Sequence, residues 1–282
     1  VDGSGVRILF INDSNDMVSI SPDGTDEQNL TESMGNLSGI WRSVSVSPDN
    51  KKIINTLKMG STILNQFCLW SFEPDTLLDT VYMDVSFIEL YSPTTGEGIN
   101  SDIVQYADAM DWDPTSNYLI YDAFNSVPQD SETTFDYWAI NMLDVGTYLE
   151  SDSNDVLIFS FFPPQAEGIQ MTNPAFSKIN SNYFVFDYLQ EWQGDVYDWI
   201  YAVDLFNNET HLIEENYTSI SYPRYSPDDS KIIFQRMVDD VSTLRKINLE
   251  NQDSPSGSSI EFTTNVISPF WFVIEEELSV QE

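Results

Sequence analysis

The chain has 282 residues, with 46 Asp and Glu against 11 Lys and Arg and a formal net charge of −35. Hydrophobic residues make up 41% and aromatics 13%, enough to build a packed core, so the composition excludes a disordered chain. The negative field repels phosphate backbones and anionic lipid, which argues against nucleic acid as a partner and against direct membrane insertion.

Such a charge keeps a protein soluble where salt screens self-repulsion. The acids are spread along the chain, a pattern that suits a secreted, halotolerant protein; a dedicated acidic binding face is the alternative. There is no run of 18 apolar residues to span a membrane. The chain starts at Val1 without Met, as a trimmed product or a mature form freed of its signal peptide would.

From the N-terminus, residues 6–11 read as a strand preceded by Asp2-Gly3-Ser4-Gly5. Residues 17–20 give a second strand, Ser21-Pro22-Asp23-Gly24 a turn, and residues 28–31 a third strand. Val44-Ser45-Val46-Ser47-Pro48-Asp49-Asn50-Lys51-Lys52-Ile53-Ile54 then forms strand, turn and strand. Proline presets φ at such a turn and Asp bonds the backbone beyond it, so the chain reverses tightly. Cys68 lies in the apolar run Phe67-Cys68-Leu69-Trp70 and reads as a small core residue; being alone, it makes no internal disulfide.

Residues 110–121 are a looser copy of the unit, residues 174–186 another, and residues 222–234, with Ser226-Pro227-Asp228-Asp229, the clearest. The aromatic stretches 138–141 and 199–204 read as the third strands of their units. Residues 268–273 supply one more first strand, the piece missing from the N-terminal unit.

A blade made from both termini closes a ring and hides its edges. Anchor positions Val46, Trp112, Phe176, Tyr225 and Trp271 divide the whole chain into five such intervals. The expectation is an all-β, closed β-propeller occupying residues 1–282 as a single domain, with five four-stranded blades and six as the second choice. The blades fall at 266–273 with 1–35, then 41–90, 106–162, 172–214 and 221–265.

The Ser-Pro-Asp turn, the Ile-Ile-Phe strand and the stretch from Ser21 to Thr31 resemble the repeats of the Tol-Pal-system (TolB-like) propeller superfamily. That repeat is a scaffold signature without a catalytic residue, and six or seven blades are usual there. The resemblance implies an extracytoplasmic (periplasmic, cell-surface or secreted) binding or scaffolding propeller; it implies no substrate.

For catalysis the residue types are sparse. His211 is the single histidine and no Gly-x-Ser-x-Gly elbow occurs, which leaves no serine-hydrolase constellation. One His and one Cys make no standard zinc site. No cofactor is expected, with Ca2+ left open by the short clusters Asp108/Asp111/Asp113, Asp13/Asp16, Asp23/Asp26 and Asp152/Asp155, none of which fits an EF-hand loop. On alternating first strands, Ser45, Asp111, Ala175, Arg224 and Phe270 share one face, opposite the anchors. If that face lines a channel, Asp111, Asp113 and Arg224 are its ligand-binding candidates.

A carboxylate pair there is the basis of the enzyme alternative, a glycosidase-type carbohydrate-active protein. Five basic residues, Arg224, Lys231, Arg236, Arg245 and Lys246, gather in one unit, for internal ion pairing or an acidic partner. Tyr188, Trp192, Tyr197, Trp199 and Tyr201 suggest inter-blade filling or, alternatively, a sugar-stacking platform. The favoured reading is a non-enzymatic secreted or surface module that binds a protein or carbohydrate ligand; the chain as one domain of a larger surface protein is a third possibility.

Overall fold

The computed structural model describes residues 8–11, 17–20, 27–29, 40–59, 62–75, 80–89, 104–128, 132–150, 158–161, 168–216, 221–238 and 241–264. The chain divides into two compact units, Val1–Pro174 and Ala175–Glu282.

In the first unit, β1 (Ile8–Ile11), β2 (Met17–Ile20) and β3 (Gln28–Asn29) form a three-stranded antiparallel sheet. β4 (Ile40–Val46), β5 (Lys52–Met59), β6 (Thr62–Asp75) and β7 (Thr80–Glu89) form a four-stranded meander. A second meander consists of β8 (Val104–Trp112), β9 (Tyr118–Pro128), β10 (Thr134–Asp144) and β11 (Ile158–Ser160), with the short helix α1 (Val145–Glu150) between its last two strands. Asp144 starts that helix: its carboxylate accepts the Thr147 N–H at 2.8 Å and the Thr147 hydroxyl at 2.9 Å.

β12 (Ile169–Phe176) runs across the boundary and opens the sheet completed by β13 (Tyr183–Trp192), β14 (Asp195–Asp204) and β15 (Glu209–Asn216). The last sheet comprises β16 (Arg224–Tyr225), β17 (Lys231–Val238), β18 (Val241–Asn251) and β19 (Ser254–Thr264).

Four four-stranded blades are therefore present among the described residues, not the five or six expected. The β1–β3 sheet stands where another blade was anticipated, and its strands of four, four and two residues make only a short ladder. Its anticipated inner strand, 268–273, lies outside the described residues, as do Phe270 and Trp271.

One core in the first unit joins the two meanders. Ile54, Phe67, Leu69 and Ile88 pack with Val104, Trp112, Leu119, Tyr121 and Leu143, with Phe67 and Tyr121 edge to face at 4.9 Å. The second unit buries Ala175, Val185, Ile200, Ala202 and Ile213 against Tyr225, Ile232, Phe234 and Ile247. Most of these positions are β-branched or aromatic, the rest Leu or Ala, and their period-two spacing is what places them on one face of each strand. Trp112, Phe176 and Tyr225 fill the anchor role, whereas Val46 is 41% exposed. Valine lacks the reach of the aromatic rings at the equivalent positions. Cys68 is buried, and loss of solvent pushes its thiol up to about 12, as an inert core residue requires.

Candidate functional site

The turns of the repeat share one hydrogen-bond pattern. Ser47 N–H donates to the Lys52 carbonyl at 2.9 Å and the Asn50 N–H to the Ser47 carbonyl at 2.9 Å. Asp113 with Tyr118 and Ser116, and Ser226 with Lys231 and Asp229, repeat it. The fourth residue of each turn is left-handed, at φ 57° for Asn50, 62° for Ser116 and 53° for Asp229. Asn, Asp and Ser tolerate that conformation better than branched residues because their short polar chains bond locally.

In two of these turns the fourth residue also holds a neighbouring turn. In the first unit, Ser116 Oγ accepts the Asp49 N–H at 3.0 Å, and its carbonyl accepts from Lys52 Nζ at 2.9 Å. Lys52 Nζ pairs with Asp49 at 3.0 Å and lies 5.8 Å from the Trp112 ring centroid. Burial works against the Asp49 carboxylate, but bonds from Ser47, Lys51 and Lys52 outweigh it and hold the group below its usual range. In the second unit the Asp229 carboxylate accepts the Ser177 hydroxyl, the Lys178 N–H at 2.7 Å and the Ile179 N–H at 3.3 Å.

A second device recurs on the middle strands. Asp122 accepts the Ala109 N–H at 2.8 Å through Oδ1 and the Asn173 N–H at 2.8 Å through Oδ2. Asp187 accepts the Tyr222 N–H at 3.0 Å, and Asp198 accepts the Ser221 hydroxyl. Asn173 (φ 53°) and Tyr222 (φ 50°) each precede a proline, a sparsely populated conformation that a buried carboxylate holds in place. Burial pushes Asp122 up to about 7, with the charge of Asp108 adding to it and the two N–H groups opposing it.

Asp113 follows β8 and opens its turn, fully buried; its carboxylate accepts N–H groups from Thr115 (3.1 Å), Asn117 (2.9 Å) and Tyr118 (2.8 Å) and the Thr115 hydroxyl (2.5 Å). Its oxygens thus serve the turn. Asp111 is half-buried on β8, opposite Ile120 of β9. Arg224 is half-buried on β16 in the other unit, and its guanidinium donates to the Pro223 carbonyl at 2.9 Å. Ser45 is half-buried and Ala175 fully buried.

Among the described residues no three His, Cys, Asp or Glu side chains gather as a metal-binding group. Asp13, Asp16, Asp23, Asp26, Asp152 and Asp155 lie outside the described residues. The basic group of the last sheet is tied internally: Arg236 approaches Glu214 at 3.7 Å, and Arg245 donates to Ser259, whose hydroxyl donates to Glu214 at 2.7 Å. His211 Nε2 stands 3.4 Å from both Glu209 and Asp253.

The chemistry left at the surface lies on β13 and β14. Cross-strand partners share a face, and the register pairs Phe186 with Tyr201, Tyr188 with Trp199, Gln190 with Tyr197 and Trp192 with Asp195. The opposite face of these strands, with Val185, Asp187, Leu189, Asp198, Ile200 and Ala202, is buried. On the aromatic face Phe186 is buried, Tyr188, Tyr197, Trp199 and Tyr201 are half-buried, and Trp192 is 59% exposed.

The rings form a ladder. Tyr197 and Trp199 stack at 6.0 Å, Tyr188 meets Trp199 and Tyr201 edge-on at 5.8 Å each, and Phe186 stacks on Tyr201 at 6.0 Å. Gln193 (φ 56°) and Gly194 (φ 88°) close the hairpin as a two-residue turn with both residues left-handed, which keeps Trp192 and Asp195 in register. A bulge between Ile200 and Tyr201 sets β15 so that Leu212 stands beside Tyr201 and Glu215 beside Trp199. Leu212 and Glu215 are exposed. Sequence reading singled out the rings; it missed their two β15 neighbours, which only the bulge brings in.

No family model and no curated protein matches this chain. Among solved structures, the chain is similar to TolB from Acinetobacter baumannii, with a TM-score of 0.54 and 15% identity over 95% of this chain and 55% of that one. It is also similar to the tricorn protease, with a TM-score of 0.50 and 11% identity over 93% of this chain and 26% of that one. The chain thus has an all-β, TolB-like propeller fold and spans about half the length of the TolB chain. No helix among the described residues is long and apolar enough to cross a membrane.

Proposed function

We propose that this chain is a non-enzymatic binding or scaffolding propeller that acts outside the cytoplasm, at a cell surface or secreted, and takes a protein or carbohydrate ligand. The observation that carries the reading is the β13–β14 face, where four half-buried rings lead to an exposed Trp192. A contiguous aromatic surface of this kind marks an interaction site in soluble proteins. The recurrent carboxylates support the same reading from the other side. Asp113, Asp122, Asp204 and Asp229 each accept two or more hydrogen bonds from their own turns, strands or neighbouring sheets, so they serve the scaffold. The TolB-like fold fits a module whose function lies in surface recognition, and the net charge of −35 fits a saline medium outside the cell.

The test is a paired screen of the full chain and its Trp192→Ala variant against a glycan array and a peptide array. The proposal expects ligands that the variant loses. Ligands held equally by both proteins would move the site elsewhere, and release of reducing sugar from any bound glycan would make the protein an enzyme.

A further inference from the structure

We infer that the β13–β14 face receives a Lys- or Arg-bearing segment of a partner protein, held by cation–π contact between flanking carboxylates; the inference rests on that face being the binding site.

Three observations point to a cationic occupant. Residues 183–216 contain eight Asp and Glu and no Lys or Arg, so the strands that carry and adjoin the aromatic face contribute acids but no Lys or Arg, and Arg236 of the next sheet reaches only Glu214 among them at 3.7 Å. Two acids reach this face, one at the hairpin end of the ladder and one beside its middle. Asp195 is paired across the hairpin with Trp192, and Glu215 across the sheet with Trp199; both acids are exposed. The rings between them are Trp and Tyr, the types whose faces attract an ammonium or guanidinium most strongly.

A guanidinium laid on Trp192 or Trp199 meets a negative ring face below and a carboxylate beside it. That combination discriminates against anionic and neutral ligands in a way that bare aromatic stacking does not. Exposed Leu212, beside Tyr201, offers an apolar seat for the methylene stem of such a side chain or for its neighbour. Opposite, the buried face of the same strands packs in the core, so the rings are held on a stiff sheet instead of a loop.

The experiment titrates the full chain into a fluorescently labelled ten-residue peptide of alternating Lys, Arg and Gly, read by anisotropy at about 50 mM and about 300 mM salt. Trp192→Ala removes the exposed ring, Trp192→Phe keeps a ring, and Glu209→Gln removes an exposed acid at the far end of the same sheet. The inference expects Trp192→Ala to weaken binding by about fivefold or more, Trp192→Phe to retain most of it and Glu209→Gln to change little. Equal weakening by Trp192→Ala and Glu209→Gln would mean diffuse attraction to the acidic surface and would overturn the inference.

Chitohexaose and cellohexaose are titrated in parallel. Binding of either sugar that Trp192→Ala abolishes, with the peptide indifferent to that change, would reject the cationic partner and leave the binding face standing. If Trp192→Ala alters binding of none of these probes, the face itself is rejected.

Discussion

Asp229, at the end of its Ser-Pro-Asp-Asp turn, is buried with a left-handed backbone, and its carboxylate gathers the Ser177 hydroxyl with the N–H groups of Lys178 and Ile179. Replacing it with Ala strands those donors, and hydrogen bonds to a charged acceptor carry roughly 1.5–3 kcal/mol each, with partial relaxation offsetting some of the loss. Asp229→Ala is therefore expected to lower stability by about 2–4 kcal/mol in urea unfolding. The neighbouring Asp228 is exposed; hydrogen bonds from Ser226 and Ser230 hold its carboxylate well below the usual range. Asp228→Asn is the milder change, and equal losses from the two substitutions would contradict the assignment.

Asp122 gives a pH signature. Its folded value, pushed up to about 7 by burial, exceeds the ordinary 3.8, so the folded state keeps a proton that the unfolded chain has lost. Its contribution to stability is fully present below about pH 4, falls as pH rises toward 7 and is flat above. Asp122→Asn removes that slope. Urea unfolding at several values between pH 4.5 and 7.5 should show the difference between wild type and variant shrinking or reversing as pH rises. A constant difference would place the titration elsewhere.

At the scale of elements, the strand–turn–strand units are legible because proline and the turn acids act within a few residues. The meander β4–β7 runs from Ile40 to Glu89, and β16–β19 runs from Arg224 to Thr264, each with its Ser-Pro-Asp turn between the first two strands. What sequence does not display is the long-range use of the same residue types. Asp113 and Asp111 look alike as neighbouring acids, yet one is a buried turn acceptor and the other half-buried on a strand. Asp122 acts on Asn173, 51 residues away, a link only the fold makes.

A signal for it did exist, since Tyr118 to Asp122 and Tyr183 to Asp187 repeat one Tyr-x-x-aromatic-Asp pattern. The openness of the aromatic face depends on cross-strand register and on the bulge at Ile200/Tyr201, neither of which periodicity encodes. The turn that carries it is testable on its own. Gly194 has φ 88° and open space around its Cα, so Gly194→Ala meets only backbone strain. The expected loss is about 1–2 kcal/mol, with weakened ligand binding if Trp192 and Asp195 fall out of register. Unchanged stability would show the turn reforming with another geometry.

For the whole molecule, the net charge of −35 implies self-repulsion that salt relieves. The unfolding midpoint should rise as salt increases to a few hundred millimolar, on the order of the range over which the screening length contracts below 10 Å. A flat response would mean that the acids are locally compensated and would remove the argument for a saline environment. The same surface gives the binding account its long-range term, while the rings of β13 and β14 give it a place. Amide hydrogen exchange of the full chain, with and without saturating Lys/Arg peptide, tests the two together. Slowed exchange concentrated in residues 186–201 and the adjoining part of β15 is the predicted result; protection confined to other sheets, or none at all at saturation, would contradict it.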